Sequence, residues 1–169
     1  MSDGDRAFDA LFREQHPRLF RYLHRLGGDA ELAADVSQET FVRLYRRSEP
    51  PDDPAAWLIT VASNLFRNAR AKRSRRARLL TPERGASAVG DAVPAPDAAL
   101  VSDRRRAAVR AALETIPERD RRILLLRAEG YRYREIAAAL HLNETSIGTL
   151  LARAKRAFRS AFGEAYHAS

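Results

Sequence analysis

Between Leu79 and Asp103 the chain reads "LLTPERGASAVGDAVPAPDAALVSD", and no apolar period appears in it until about Leu100. On both sides of this stretch apolar residues recur every three or four positions, the spacing of a helix with one buried face. Nowhere do they alternate as in a half-buried strand. Loops longer than about 15 residues are uncommon inside one compact domain, so Pro, Gly, Ala and Ser over such a length read as a linker. The sequence therefore predicts an all-α protein of two small helical domains joined by a flexible linker. The boundaries fall at 1–78, 79–99 and 100–169. One helical domain interrupted by a long loop is the competing arrangement.

Punctuation within each half locates the helices. Phe8, Leu11 and Phe12 open an apolar stripe that Leu19, Phe20, Leu23 and Leu26 continue. Pro17 interrupts it and is expected to kink or restart the helix, because proline has no N–H to donate. Gly27-Gly28 should stop that helix and Asp29 should cap the next, which buries Leu32, Val36 and Leu44. Asp53 followed by Pro54 is a favoured start for a third helix, expected to bury Trp57, Leu58, Val61 and Leu65. Beyond the linker, Val109, Ala112, Leu113 and Ile116 line a helix ended by Pro117. Ile123, Leu124 and Leu126 belong to another, closed by Gly130.

Composition narrows the function. The net charge is +8, mostly from arginine, which favours a polyanionic partner such as nucleic acid or an anionic membrane surface; a GC-rich genome would also enrich Arg and Ala. The chain has no cysteine, so disulfides, thiolate zinc sites and cysteine nucleophiles are excluded. The four histidines, His16, His24, His141 and His167, lack metal-ligand spacing, and no cofactor is expected. No apolar run reaches the ~20 residues of a membrane span, and the polar, acidic start does not read as a signal peptide. A soluble cytoplasmic protein without catalytic residues is the expectation.

Three constellations remain. In "DVSQETFVRLYRR", Asp35, Gln38, Glu39 and Val42 share one helical face, opposite Leu32, Val36 and Leu44. Carboxylates there suit a basic protein partner better than nucleic acid, although an ordinary solvated face has the same spacing. In "WLITVASNLFRNARAKRSRRAR", Thr60, Ser63, Asn64, Arg67 and Arg70 share a face, and Lys72, Arg73, Arg75, Arg76 and Arg78 extend its charge. Neutral amides and hydroxyls can bond base edges while Arg and Lys neutralise phosphate. A solubilising basic helix end, which suits the helix dipole, is the alternative. In "YREIAAALHLNETSIGTLLARAKRAF", Tyr133–Phe158, Ile136, Ala137 and Leu140 point inward, Leu142 plugs a corner and Asn143 caps the following helix. Ile147, Leu151, Ala154 and Phe158 form the next inward stripe. His141 stands where the chain turns sharply, a place for positive φ that His tolerates better than most side chains. This fits a helix-turn-helix whose second helix enters the major groove; any αα corner of a bundle would look alike.

These constellations, in this order around such a linker, resemble bacterial sigma factors of the extracytoplasmic-function (ECF) group, within the sigma-70-like family. "ELAADVSQETFVRLY" is similar to the segment docking on the clamp helices of RNA polymerase. "DDPAAWLITVASNLFRNARAKRSRR" is similar to the segment that captures and melts the −10 element, and "LETIPERDRRILLLRAEGYRYREIAAALHLNETSIGTLLARAKRAF" to the −35-binding domain. Arg132, His141 and Asn143 stand where the family usually has Ser, Gly and Pro. The resemblance implies a sigma factor, not an enzyme, that directs core polymerase to a subset of promoters. Asp35, Gln38, Glu39 and Val42 would dock on polymerase. Thr60, Ser63, Asn64, Arg67, Arg70, Lys72 and Arg73 would meet the −10 element, with Asn64 on a flipped base and the loop Arg46–Asp53 shaping its pocket. Thr145, Ser146, Gly148, Thr149, Arg153 and Arg156 would meet the −35 element. Implied partners are core RNA polymerase, through the clamp helices of its largest subunit and its flap region, and promoter DNA. An anti-sigma factor is left open and no membrane is implied. The rival function is an autonomous helix-turn-helix regulator; it requires dimers on half-sites, and no dimerisation heptad is evident.

Overall fold

The computed structural model describes residues 3–80 and 97–168. Among them are seven helices: α1 (Asp3–Gly27), α2 (Ala30–Tyr45), α3 (Pro54–Leu80), α4 (Asp97–Thr115), α5 (Glu118–Ala128), α6 (Tyr133–Leu140) and α7 (Glu144–His167). No strand occurs among the described residues. Helix α3 continues through Leu80 and α4 opens at Asp97, so positions 79–80 and 97–99 at the linker's two ends are helical. The rest of the expected linker lies outside the described residues.

The helix starts follow from side-chain caps. Asp29 Oδ1 accepts from the Leu32 N–H at 2.9 Å and Asp53 Oδ1 from the Ala56 N–H at 3.0 Å, each satisfying a donor that the first turn leaves free. Asn143 Oδ1 does the same for Thr145 N–H at 3.1 Å. At α6 the Glu135 carboxylate accepts from the Arg132 N–H at 2.7 Å. Arg132 has no acceptor with which to return the bond, so only half of a capping box forms. The stops are left-handed residues: Gly28 (φ 72°), Gly130 (φ 87°) and His141 (φ 54°). After Gly130 and His141 the chain bonds back five residues, Tyr131 N–H to Leu126 C=O at 3.2 Å and Leu142 N–H to Ala137 C=O at 2.9 Å.

Two expectations fail for physical reasons. Helix α1 runs through Pro17 without a break. Proline deletes the bond to the carbonyl of Arg13, but both residues face solvent, where water can satisfy that carbonyl. Burial of Gln15, Leu19, Tyr22 and Leu23 on the opposite face holds both segments in register. In α3 the most buried arc is Leu58, Ile59, Ala62, Ser63 and Phe66, while Trp57, Val61 and Leu65 are only half-buried. This helix is packed by α1 and α2 from one side and by α6 from another. Its buried arc is therefore wider than the sequence stripe, and displaced from it.

The two helical halves share a core. Leu19, Tyr22, Leu23, Leu58, Ile59 and Phe66 from the first are continuous with Ile123, Leu126, Tyr131 and Ile136 from the second. Helix α1 packs on α5, and α3 on α6. A smaller cluster, Ala112, Ile116 and Ala161 with Phe158 and Phe162 against it, joins α4 to α7.

Candidate nucleic-acid and polymerase interface

Helix α2 presents Asp35, Gln38 and Glu39 to solvent, with Val42 half-buried beside them, because Leu32, Ala33, Val36, Phe41 and Leu44 are drawn into the core. Glu39 is bonded by Arg43 one turn on, at 2.8 Å. Asp35 and Glu39 also line a groove whose other wall is the cationic part of α3, Lys72, Arg73 and Arg76. The acidic face and the basic helix thus border one concavity. Arg73 is engaged within the fold: its guanidinium bonds Asp29 Oδ2 at 2.5 Å, tying α3 to the start of α2.

The α3 candidates separate into two groups. Asn64, Arg67, Arg70 and Lys72 are exposed. Thr60 is half-buried, and its hydroxyl donates to the Ala56 carbonyl at 2.9 Å. Ser63 is only 5% exposed, its hydroxyl 3.5 Å from that of Tyr22. Ser63 thus faces protein: it lies against Tyr22 of α1 and borders a crevice whose far wall is Glu118, Arg121 and Arg122 of α5. Arg47, in the loop after α2, rests over the Trp57 ring at 5.4 Å and donates to the Glu49 carbonyl at 3.0 Å, which fixes the loop against α3.

In α7 the leading turn stands free. Thr145, Ser146 and Thr149 are exposed, while Ile147 and Leu151 are buried on the opposite face. Gly148 is half-buried; a Cβ there would meet Tyr133 Cε2 at 3.7 Å, an ordinary contact. Arg156 is exposed, but Arg153 is not a free cation. It clasps Asp120, itself 3% exposed, through Nη2 at 2.6 Å and Nε at 3.3 Å. The bond to Asp120 holds the arginine more firmly protonated than usual. Its first role is to fix α7 against α5.

Residues 11–76 match the family described as Sigma-70 region 2, and residues 106–158 match Sigma-70, region 4. Several curated proteins are similar along most of the chain. The ECF RNA polymerase sigma factor SigE of Mycolicibacterium smegmatis is 32% identical over 164 residues, covering 90% of this chain and 61% of that protein. The RNA polymerase sigma-H factor of Pseudomonas aeruginosa is 32% identical, covering 91% and 84%. CarQ, an RNA polymerase sigma factor of Myxococcus xanthus, is 30% identical, covering 90% and 85%. The chain belongs to the ECF sigma factors. Its fold is also that of the sigma factor RpoE from Bartonella quintana, solved in complex with the anti-sigma factor NepR, at a TM-score of 0.65 and 21% identity over 93% of this chain and 97% of that one. This sigma factor spans about three fifths of the SigE relative and more than four fifths of the other two.

Sequence reasoning missed one site of this sigma factor. Glu129, 8% exposed, accepts from Arg21 at 2.7 Å and Arg25 at 2.6 Å, and its carbonyl accepts from Arg18 at 2.9 Å. These partners lie 104 to 111 residues away in the chain, so no local pattern joins them. Among the described residues no cluster of His, Asp or Glu could hold a metal ion, and no helix is long and apolar enough to cross a membrane.

Proposed function

We propose that the chain binds core RNA polymerase and directs it to a subset of promoters, with its work divided among three helices. The exposed acidic face of α2, Asp35, Gln38 and Glu39 beside Val42, docks on polymerase. The polar and cationic face of α3 takes the opened −10 strand: Asn64 contacts a base, while Arg67, Arg70 and Lys72 follow the backbone. The leading turn of α7, Thr145, Ser146 and Thr149, reads the −35 element, and Arg156 anchors phosphate.

The observation that carries this reading is the segregation of charge between adjacent helices. The carboxylates of α2 and the cations of α3 sit on either side of one groove. An autonomous helix-turn-helix regulator has no use for such a pair of surfaces away from its reading helix. Replacing Asp35 and Glu39 together by Arg should abolish co-elution with core polymerase and leave helix content unchanged, since exposed substitutions usually move stability by only about ±0.5 kcal/mol. Normal co-elution of that double variant would overturn the docking assignment. Run-off transcription with purified core polymerase on genomic fragments then identifies the promoters served.

A further inference from the structure

No backbone contact joins α3 to α5, yet side chains of both line one crevice of about 250 Å³. Leu26 of α1 and Phe66 of α3 give it an apolar lining. Around that lining stand four guanidinium groups, those of Arg67 and Arg70 from α3 and of Arg121 and Arg122 from α5. Glu118 is the one carboxylate among the lining residues, which leaves a formal excess of three positive charges. Like charges gathered beside apolar surface repel each other with little water to screen them.

The fold does not offset this charge. Neither Arg67 nor Arg121 makes a hydrogen bond or ion pair with any described residue, and Glu118 pairs with none of the four arginines. The Arg121 Nε is shielded from water as well, so this donor bears its desolvation without an acceptor in return. Two of the other groups are held in place. Arg122 Nε donates to the Tyr22 hydroxyl at 3.1 Å, and the Arg70 guanidinium lies 5.9 Å from the centroid of the Phe66 ring. Groups fixed before a ligand arrives lose less freedom on binding it.

We propose that this crevice binds a diphosphate group, bridged between Arg67 and Arg70 on one wall and Arg121 and Arg122 on the other. Phosphate oxygens accept from a guanidinium fork two at a time, and the charge assists each bond. A diphosphate carries oxygens at both ends and can meet both walls at once, which orthophosphate cannot. The volume lies below the ~300–1,000 Å³ of sites that enclose drug-sized ligands, so a nucleoside attached to the diphosphate stays outside. Inorganic diphosphate and a nucleoside diphosphate are therefore two sources of one ligand chemistry. The site goes beyond the promoter-binding role of α3, since two of its four cations belong to α5.

Calorimetric titration of the full-length chain with inorganic diphosphate, at fixed ionic strength and without phosphate or sulfate in the buffer, tests the site. The unaltered protein should bind one diphosphate per chain. Arg121→Gln and Arg67→Gln, on opposite walls, should each weaken binding about tenfold, as expected for the loss of a charge-assisted bond. Glu118→Gln should tighten it. Arg104→Gln, the same change of charge at an exposed position of α4 outside the crevice, should leave it unaltered. Arg67 is exposed, so its variant serves where Arg121→Gln does not fold. No saturation, or several diphosphates per chain, refutes the site. So does equal weakening by Arg104→Gln, which would show only the overall charge at work. Weakening from one wall alone refutes the bridge, as does orthophosphate binding as tightly as diphosphate. ADP should bind as inorganic diphosphate does, and much tighter binding of ADP refutes a site confined to the diphosphate. A single-stranded DNA of about 12 nucleotides covers the remaining source of phosphate. If Arg121→Gln weakens binding of that strand while diphosphate does not saturate the protein, backbone phosphates are the ligand and the proposal fails.

Discussion

Helices α3 and α7 are both amphipathic, both carry a polar face proposed for DNA, and both follow it with cations, at the end of α3 and in the middle of α7, yet they offer those faces differently. In α7 the leading turn is exposed: Asn143 caps it, Ile147 and Leu151 anchor it from behind, and Thr145, Ser146 and Thr149 face outward, the Thr145 hydroxyl donating to Asn143 Oδ1 at 2.9 Å. In α3 the corresponding face is half-covered, with Ser63 enclosed, Thr60 bonded to its own helix and only Asn64 and the later cations open. A helix that enters the groove of duplex DNA needs no change of its own and can be presented preformed. On the proposed reading, duplex recognition would fall to the exposed turn of α7 and strand capture to the partly buried face of α3.

The two helices can be set against each other by substitution, most strongly through a glycine beside each. Gly27, at the end of α1, lies against the Phe66 ring of α3, and a Cβ there would run into that buried ring. Gly27→Ala should therefore cost about 1–3 kcal/mol by overpacking, read as a lower urea midpoint. Gly148→Ala in α7 should act in the opposite sense. It adds an ordinary contact and removes glycine from a helix interior, for a gain of about 0.5–1 kcal/mol. If DNA approaches α7 closely, the same change weakens selection among promoters randomised at the −35 element. Unaltered base preference would take Gly148 off the reading surface.

A smaller effect separates the two arginines of α7. Arg156→Ala should leave the melting temperature unchanged and lower the salt dependence of promoter binding by about 0.9 in slope, the loss of one phosphate contact on duplex DNA. Arg153→Ala should lower the melting temperature, since it leaves Asp120 buried without its main cation. Equal melting temperatures for both would show that the Arg153–Asp120 pair does not hold α7 in place.

The smallest effect concerns the first half only. His16 stacks on Phe12, with centroids 4.7 Å apart, and packs near Phe41; burial there lowers its pKa from the ordinary 6.5. The unfolded chain therefore takes up the proton first. Stability contributed by neutral His16 is fully present above about pH 6.5 and is lost as pH falls through its lower folded value. His16→Gln should flatten the stability curve below pH 6.5 and leave it unchanged at pH 8. An unaltered slope would place the acid sensitivity elsewhere.

Local signals in the sequence carried most of the fold. Asp29, Asp53-Pro54 and Asn143 start helices as their types require, and Gly28, Gly130 and His141 end them with positive φ. Each is a property of a residue and its near neighbours, so it survives without knowledge of the tertiary structure. The face of α2 was legible for the same reason, since one helix periodicity places Asp35, Gln38 and Glu39 together. Pro17 misled because its cost depends on whether water reaches the carbonyl it orphans. The burial of Ser63 was not legible, because Tyr22, the residue it lies against, is 41 positions away. The resemblance implied Arg73 and Arg153 at DNA, and the carboxylates that engage them within the fold, Asp29 and Asp120, lie 44 and 33 residues away, beyond any local pattern. Glu129 could not be found at all, because its meaning exists only where the halves meet.

The division of labour between α3 and α7 is tested most directly by permanganate reactivity of thymines in promoter complexes formed with core polymerase. Unaltered protein should open the −10 region. Asn64→Ala should lose most of that reactivity while co-eluting normally with polymerase and retaining its dependence on the −35 element. Substitution of Thr145 and Thr149 by Ala should reduce −35 dependence, yet permit opening on a template already melted at −10. If Asn64→Ala opens the promoter as fully as the unaltered protein, or if both sets of substitutions impair the pre-melted template alike, α3 is not the strand-capturing helix and the account fails.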